Sequence, residues 1–303
     1  MRALVIGGNG FIGSHLAEGL RTRGHGVRVL DPGQARADVD WAGIDYTRGA
    51  YTDAACIAEA LDDVDTVFHL ASTTVPATSN RDLAHDVSSN LLGALGLIAA
   101  MQARGLRRIV FFSSGGTVYG DPDVLPVPES HPLRTISSYG IVKVAIEQYL
   151  SMYRHLGQLD PLVLRPSNPY GPRQSAAGGQ GFVAAAIARL HEGIPLQIWG
   201  DGETVRDYIF IDDLIELAIR AADSGACGIF NAGSGSGASL NDIRDAIECA
   251  TGRPMSVEHL PARGFDVRRV VLDVSAARER FGWTPAIDLE NGIARTWRAS
   301  LIP

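Results

Sequence analysis

The chain has 303 residues, 46% hydrophobic and 20% charged, enough to bury a sizeable core and too apolar to be a disordered chain. With 27 Lys and Arg against 34 Asp and Glu, the formal charge is −7. That excludes the basic face of a nucleic-acid binder and leaves any anionic ligand to local arginines and backbone N–H groups.

Short apolar runs alternate with helical patterns through the first 165 residues. Arg2–Ile6, Val27–Leu30, Thr66–Leu70, Arg108–Phe112 and Leu162–Leu164 read as buried strands. Phe11–Arg23, Asp53–Leu61, Asp86–Arg104 and Ser138–His155 read as the helices between them. This alternation predicts an α/β fold, a doubly wound parallel sheet of Rossmann type covered on both faces. After Pro166 the texture changes. Prolines and glycines crowd Ser167–Gly181, a helix is expected over Gly181–His191 and a strand over Leu196–Trp199. Tyr208–Ile211, a helix near Asp213–Ala222 and Ile229–Ala232 form one more βαβ piece. Helices near Leu240–Thr251 and Glu290–Arg298 close the chain. The expected organisation is a dinucleotide-binding domain over 1–166, with 204–234 returning to it, and a smaller mixed α/β substrate lobe over 167–303 interleaved with it.

The longest apolar run, Leu91–Met101, falls short of the roughly 20 residues that span a bilayer. Met1–Ile6 meets a glycine turn too early for a signal peptide. Cys56, Cys227 and Cys249 are scattered without metal spacing, so reduced thiols, a cytoplasmic protein and no metal are expected. His69, His85 and His131 read as structural or surface histidines.

Where the glycines fall is informative. Gly7-Gly8-Asn9-Gly10-Phe11-Ile12-Gly13 lies where the first strand hands over to the first helix. A pyrophosphate can reach the N–H groups of a helix start only if no side chain intervenes. Gly7 and Gly10 supply the tight turn and the close approach, and Gly13 the close helix–sheet packing. Asp31 ends the second strand 18 residues past Gly13. It reads two ways: as the acceptor of both adenosine ribose hydroxyls, which favours NAD over NADP, or as a turn aspartate before Pro32-Gly33. Arg36 lies near enough to keep NADP open.

Tyr139 and Lys143 stand four apart on one helical face. Alone the pair means little. Downstream of a dinucleotide turn, a phenol beside an ammonium and a cationic nicotinamide loses its proton more easily, and the phenolate can act as general base on an alcohol.

Taken together, Gly7–Gly13, His69-Leu70-Ala71, Asn90 with Gly93, Ser113–Gly120, Tyr139 with Lys143, Arg165–Gly171, Arg206-Asp207-Tyr208 and Phe281–Pro285 resemble the extended short-chain dehydrogenases/reductases. Within these, they resemble the NAD-dependent nucleotide-sugar epimerase/dehydratase family, along essentially the whole chain. The resemblance implies that Gly7, Gly10, Phe11, Ile12, Gly13, Asp31, Leu70, Ala71, Thr73, Asn90, Ser113, Tyr139, Lys143 and Pro166 bind NAD. Lys143 would hold the nicotinamide ribose, and Leu70 and Ala71 would act through their main chains. It further implies that Asn168, Arg173, Arg206, Arg263 and Asp266 bind the diphosphate and nucleoside of a sugar nucleotide, the Arg fork suiting phosphate oxygens. The helices of Asn90 and Tyr139 would pair in a homodimer.

Two positions depart from that pattern. Gly115 stands where the family has the Ser or Thr that bonds the reacting hydroxyl, and Ala50 where many relatives have an acid on the adenine. Thr117, two residues on, would point to the same side in an extended segment and is the expected stand-in, with Ser114 or a water behind it. It reads equally as a β-branched strand residue without a duty. Gly116-Thr117 offers no acid for abstracting a proton from carbon, as dehydratases of the family require. The expected reaction is therefore epimerisation at C4 of a UDP-hexose of the glucose or glucuronate type, through a 4-keto sugar, with Tyr139, Lys143 and Thr117 catalytic. The alternatives are a 4-ketoreductase and a non-catalytic dinucleotide-binding sensor.

Overall fold

The computed structural model describes residues 1–176, 181–262 and 267–301. The chain divides into two compact units. The first comprises Met1–Val118, Thr135–Arg165 and Ile215–Phe230, and the second Tyr119–Arg134, Pro166–Leu214 and Asn231–Pro303.

In the first unit the order is β1 (Arg2–Ile6), α1 (Phe11–Thr22), β2 (Gly26–Asp31), β3 (Ile44–Arg48), α2 (Ala54–Ala60), β4 (Thr66–His69), α3 (Pro76–Ser79), α4 (Leu83–Asp86), a π-helical segment (Val87–Leu92), α5 (Gly93–Ala103), β5 (Arg108–Phe112), α6 (Ser138–His155) and β6 (Asp160–Pro166). The strands are near-continuous runs of Val, Ile, Leu and Phe because helices cover both faces of a parallel sheet. The pairs β3–β2, β2–β1, β1–β4, β4–β5 and β5–β6 are all parallel. The order 3-2-1-4-5-6, with β10 (Gly228–Ala232) beyond β6, reverses direction between β1 and β4. A crevice opens at the carboxyl ends of strands at such a switch point. The core gathers Leu4, Ile6, Val67, Leu97, Ile109, Phe111, Val142 and Ile146 from strands and helices of this unit.

Three differences from the sequence reading have physical causes. β3 was not expected: an edge strand of sequence IDYTR, half exposed, lacks the apolar run of its neighbours. The helical stretch Leu83–Ala103 runs on for 21 residues, so one helix is long and apolar enough to cross a membrane by length and composition, which the 11-residue apolar run concealed. Its Ala94, Leu97, Ile98 and Met101 pack in the core of the first unit, and Asp86 and Asn90 are buried there with hydrogen-bond partners. Finally, 204–234 does not return to the first sheet as one piece. β10 does, whereas β9 (Val205–Phe210) joins a separate four-stranded sheet.

In that second sheet β9 pairs in parallel with β7 (Asn168–Tyr170) and β13 (Arg269–Val270) and antiparallel with β11 (Gly237–Ser239). β8 (Leu196–Trp199) and β12 (Val257–Leu260) form a parallel pair. Helices α7 (Phe182–Glu192), α9 (Leu240–Thr251), α10 (Ser275–Phe281) and α11 (Leu289–Ser300) complete the second unit, while α8 (Ile211–Asp223) begins in it and continues into the first. Buried Asp207 on β9 ties the unit together, accepting from Ser167 Oγ, Leu272 N–H and the N–H groups of Ser234 and Gly235 at 2.7–3.2 Å. The Phe281–Pro285 motif has a structural use: buried Trp283 donates its indole N–H to the Asp213 carbonyl at 3.1 Å.

Candidate active site

The glycine turn shows why side chains are excluded from it. Gly7 has φ +83°, and a Cβ there would meet the Ala71 backbone nitrogen at 2.8 Å. A Cβ on Gly13 would run into the Gly7 carbonyl. A Cβ on exposed Gly10 would make one tight contact, with the Gly7 oxygen at 3.3 Å. Helix α1 begins at Phe11 with no capping side chain and no acid in its first turn, so its opening N–H groups, Phe11 and Ile12 among them, lack intrahelical acceptors. Such a cradle fits a pyrophosphate.

Asp31 makes the turn bond and keeps acceptor capacity for a ribose. One carboxylate oxygen accepts the Gly33 N–H at 2.8 Å, the turn bond, and the other accepts the Asn9 N–H at 3.1 Å, which places the acid against the glycine turn. A carboxylate has about four lone-pair sites, so two remain for ribose hydroxyls. Arg36, which kept NADP open, is committed to Asp38 through two bonds of 2.7 and 2.8 Å. The residues present fit NAD.

Beyond the turn, the N–H groups of Leu70 and Ala71 both donate to the Ile6 carbonyl, which carries the main chain leaving β4 past Gly7. Thr73 donates its N–H to Asn90 Oδ1 at 2.9 Å. A pocket follows, lined by His69, Ala71, Asp86, Asn90, Tyr139 and Lys143. Ser137 caps α6 by accepting the Gly140 N–H, which sets Tyr139 in the first turn. Lys143 Nζ donates to the Phe112 carbonyl at 2.8 Å and lies 5.4 Å from the Tyr139 ring centroid. Burial lowers the Lys143 ammonium to about 8, with Glu147 and Asp86 opposing the change. Burial pushes the Tyr139 phenol up to about 12, and Asp86 adds to the rise. Without a dinucleotide, desolvation outweighs the neighbouring ammonium, whose hydrogen bond goes to a carbonyl; the expected ease of ionisation required the cationic nicotinamide as well. Burial lowers His69 to about 3, so it is neutral.

Thr117 is corrected in its geometry. Ser113–Val118 turns instead of extending, the Thr117 and Val118 N–H groups both donating to the Ser114 carbonyl, so alternation does not aim its side chain. Its hydroxyl is nonetheless buried without a hydrogen-bond partner among the described residues. Ser113 lies outside the pocket lining. It donates its hydroxyl to Glu147, which is also held by Arg165 through two bonds of 2.6 and 3.1 Å. Glu147 and Asp86 were missed in the sequence, although each has a helical-spacing signal: Glu147 follows Lys143 by four and Asp86 precedes Asn90 by four.

In the second unit, β7 and β9 set Asn168 opposite Tyr208, and Asn168 Nδ2 donates to the Asp207 carbonyl at 3.2 Å. Arg206 sits on the same strand, and Arg173 has the left-handed backbone value φ +68°. Pro166 ends β6. Arg263 and Asp266 lie outside the described residues. Among the described residues no cluster of His, Cys, Asp and Glu could hold a metal.

The strand order, the turn and the Tyr–Lys pair on α6 define a class: Rossmann-type proteins of the extended short-chain dehydrogenase/reductase kind. Residues 3–233 match the NAD dependent epimerase/dehydratase family. The chain is 39% identical over 306 residues to a UDP-glucose 4-epimerase of Mycolicibacterium smegmatis, covering 98% of this chain and 97% of that one. It is similar to the crystal structure of UDP-glucose 4-epimerase with UDP-glucose from Thermotoga maritima, at TM-score 0.94 and 34% identity over 99% of both chains. It also resembles the Thermus thermophilus UDP-glucose 4-epimerase complex with NAD, at TM-score 0.92 and 34% identity over 99% of this chain and 98% of that one. The chain belongs to the NAD-dependent epimerase/dehydratase family.

Proposed function

We propose that this protein is an NAD-dependent UDP-sugar 4-epimerase acting on a UDP-hexose of the glucose or glucuronate type. The reading is carried by one observation: the Tyr139–Lys143 pair lines the same pocket as Asn90 and Ala71, next to a turn whose glycines leave room for a dinucleotide. NAD, when bound, supplies the acceptor and donor of the C4 hydride and a positive charge that lowers the phenol. Tyr139 takes the C4 hydroxyl proton as that carbon is oxidised and returns it to the 4-keto sugar after the sugar has turned. Lys143 keeps its ammonium against the Phe112 carbonyl and orients the nicotinamide ribose, and Asp31 accepts the adenosine ribose. Thr117, whose buried hydroxyl has no partner among the described residues, bonds the reacting oxygen in place of the hydroxyl missing at Gly115. Asn168, Arg173, Arg206, Arg263 and Asp266 hold the diphosphate and nucleoside while the intermediate rotates.

The partner we propose is a second copy of the chain. Leu83, Val87 and Leu92 on the long helical stretch, Ile141 and Met152 on α6 and Leu156 just past its end are large apolar side chains left exposed. A cytoplasmic setting agrees with three cysteines that are all free.

Incubating the purified protein with UDP-glucose, without added cofactor, and resolving the products tests the activity. UDP-galactose is the expected product. A requirement for added reductant would point to the ketoreductase reading, and no product across UDP-, dTDP- and GDP-sugars would sink the enzyme assignment. For the base itself, Tyr139→Phe should retain NAD and the fold while kcat falls by about 10²–10⁴-fold.

A further inference from the structure

A buried carboxylate that no step above uses holds the residue next to Tyr139. Asp86, at the end of α4, is fully buried. Its Oδ1 accepts Thr74 Oγ1 at 2.6 Å and Asn90 Nδ2 at 2.8 Å, and its Oδ2 accepts Ser138 Oγ at 2.5 Å. The Ser138 N–H donates in addition to Asn80 Oδ1 at 2.8 Å. The first turn of α6 is thus fastened at both side chain and main chain, in one knot with Asn90. None of these described partners carries a charge, and Asp86 lines the same pocket as Tyr139 and Lys143.

We propose that Asp86 is a positioning residue for Tyr139: it moors the first turn of α6 through Ser138 and sets its carboxylate in the pocket, so that the phenol releases its proton only when a cation shares that space. The proposal rests on Tyr139 being the base. The other ionisable groups facing this pocket in the first unit are Lys143, whose ammonium is spent on the Phe112 carbonyl, and His69, which burial keeps neutral. Glu147, behind Lys143, is neutralised by its bidentate pair with Arg165. A negative charge at Asp86 opposes ionisation of the phenol and favours the charged form of the lysine, the sense in which it acts on both.

The test is an ultraviolet difference titration of tyrosinate in the purified protein, wild type against Tyr139→Phe, repeated in the Asp86→Asn background. Asn keeps the shape and removes the charge. The Tyr139 phenol should then ionise at a pH lower by about one unit or more, with the acid limb of kcat moving the same way. A folded Asp86→Asn protein in which neither moves overturns the proposal. Ser138→Ala removes the mooring and leaves the charge, so kcat should fall while the phenol titrates as before; unchanged kcat there overturns the mooring even if Asp86→Asn fails to fold. Full turnover by Tyr139→Phe would sink the base reading instead, whatever the Asp86 variant does.

Discussion

Thr117 carries a hydroxyl that is shut away from water and has no hydrogen-bond partner among the described residues, an arrangement that costs about 1–3 kcal/mol and is retained where a ligand completes it. Thr117→Val should therefore leave the melting temperature equal or higher, since the shape is kept and the orphaned group removed, while kcat falls by about two orders of magnitude. Calorimetry and turnover measured on one preparation would check both; undiminished kcat would return the duty to Ser114 or a water. At this scale the sequence was most legible where backbone shape leaves no choice. Gly7 and Gly13 could be read because any Cβ there collides with main chain. Thr117 could be nominated but not aimed, because two N–H groups converging on one carbonyl make a turn that no alternation rule anticipates. The rise of the Tyr139 phenol without a dinucleotide was not legible for a related reason: burial and the charge of Asp86, 53 positions away, come from residues distant in sequence.

Helix α6 organises two layers of chemistry. One turn beyond Lys143, the same helix buries Glu147 against Arg165 of β6 and receives the hydroxyl of Ser113 at the end of β5. Removing one member of such a pair strands the other charge, so Arg165→Met should cost about 3–5 kcal/mol, visible as a marked fall in denaturant midpoint. Pairing it with Glu147→Leu should recover most of that loss, which a double-mutant cycle would measure. Strands and helices of the first unit were legible because burial on both sheet faces prints continuous apolar runs. β3 was not, since an edge strand with one wet face prints a weaker pattern. The Glu147–Arg165 pair escaped notice because its members are 18 residues apart and meet only when α6 folds back beside β6.

For the molecule as a whole, ionisation and assembly give two further expectations. Lys143 titrates at about 8 when folded and at 10.5 when free, so between these values the unfolded chain binds the additional proton. Stability from this group accordingly rises with pH across that interval, and Lys143→Met should remove the slope in urea titrations. The apolar faces of the long helical stretch and α6 should hold two copies together. Ile141→Glu with Leu92→Glu should shift the sedimentation coefficient from dimer to monomer; a wild type that already sediments as a monomer would end that idea. The division into units was only partly legible, because apolar periodicity marks an element without saying which sheet it enters, as β9 and β10 illustrate. That division has a consequence for synthesis. The first unit is assembled from three separated stretches, and its last, Ile215–Phe230, is translated only after much of the second has been made. A nascent chain halted before Ile215 would carry an unfinished sheet whose outer edge at β6 still lacks β10, and such open edges invite pairing with other chains. Ribosome-stalled fragments ending ahead of that stretch should bind chaperones, and release should follow once the final strand has emerged.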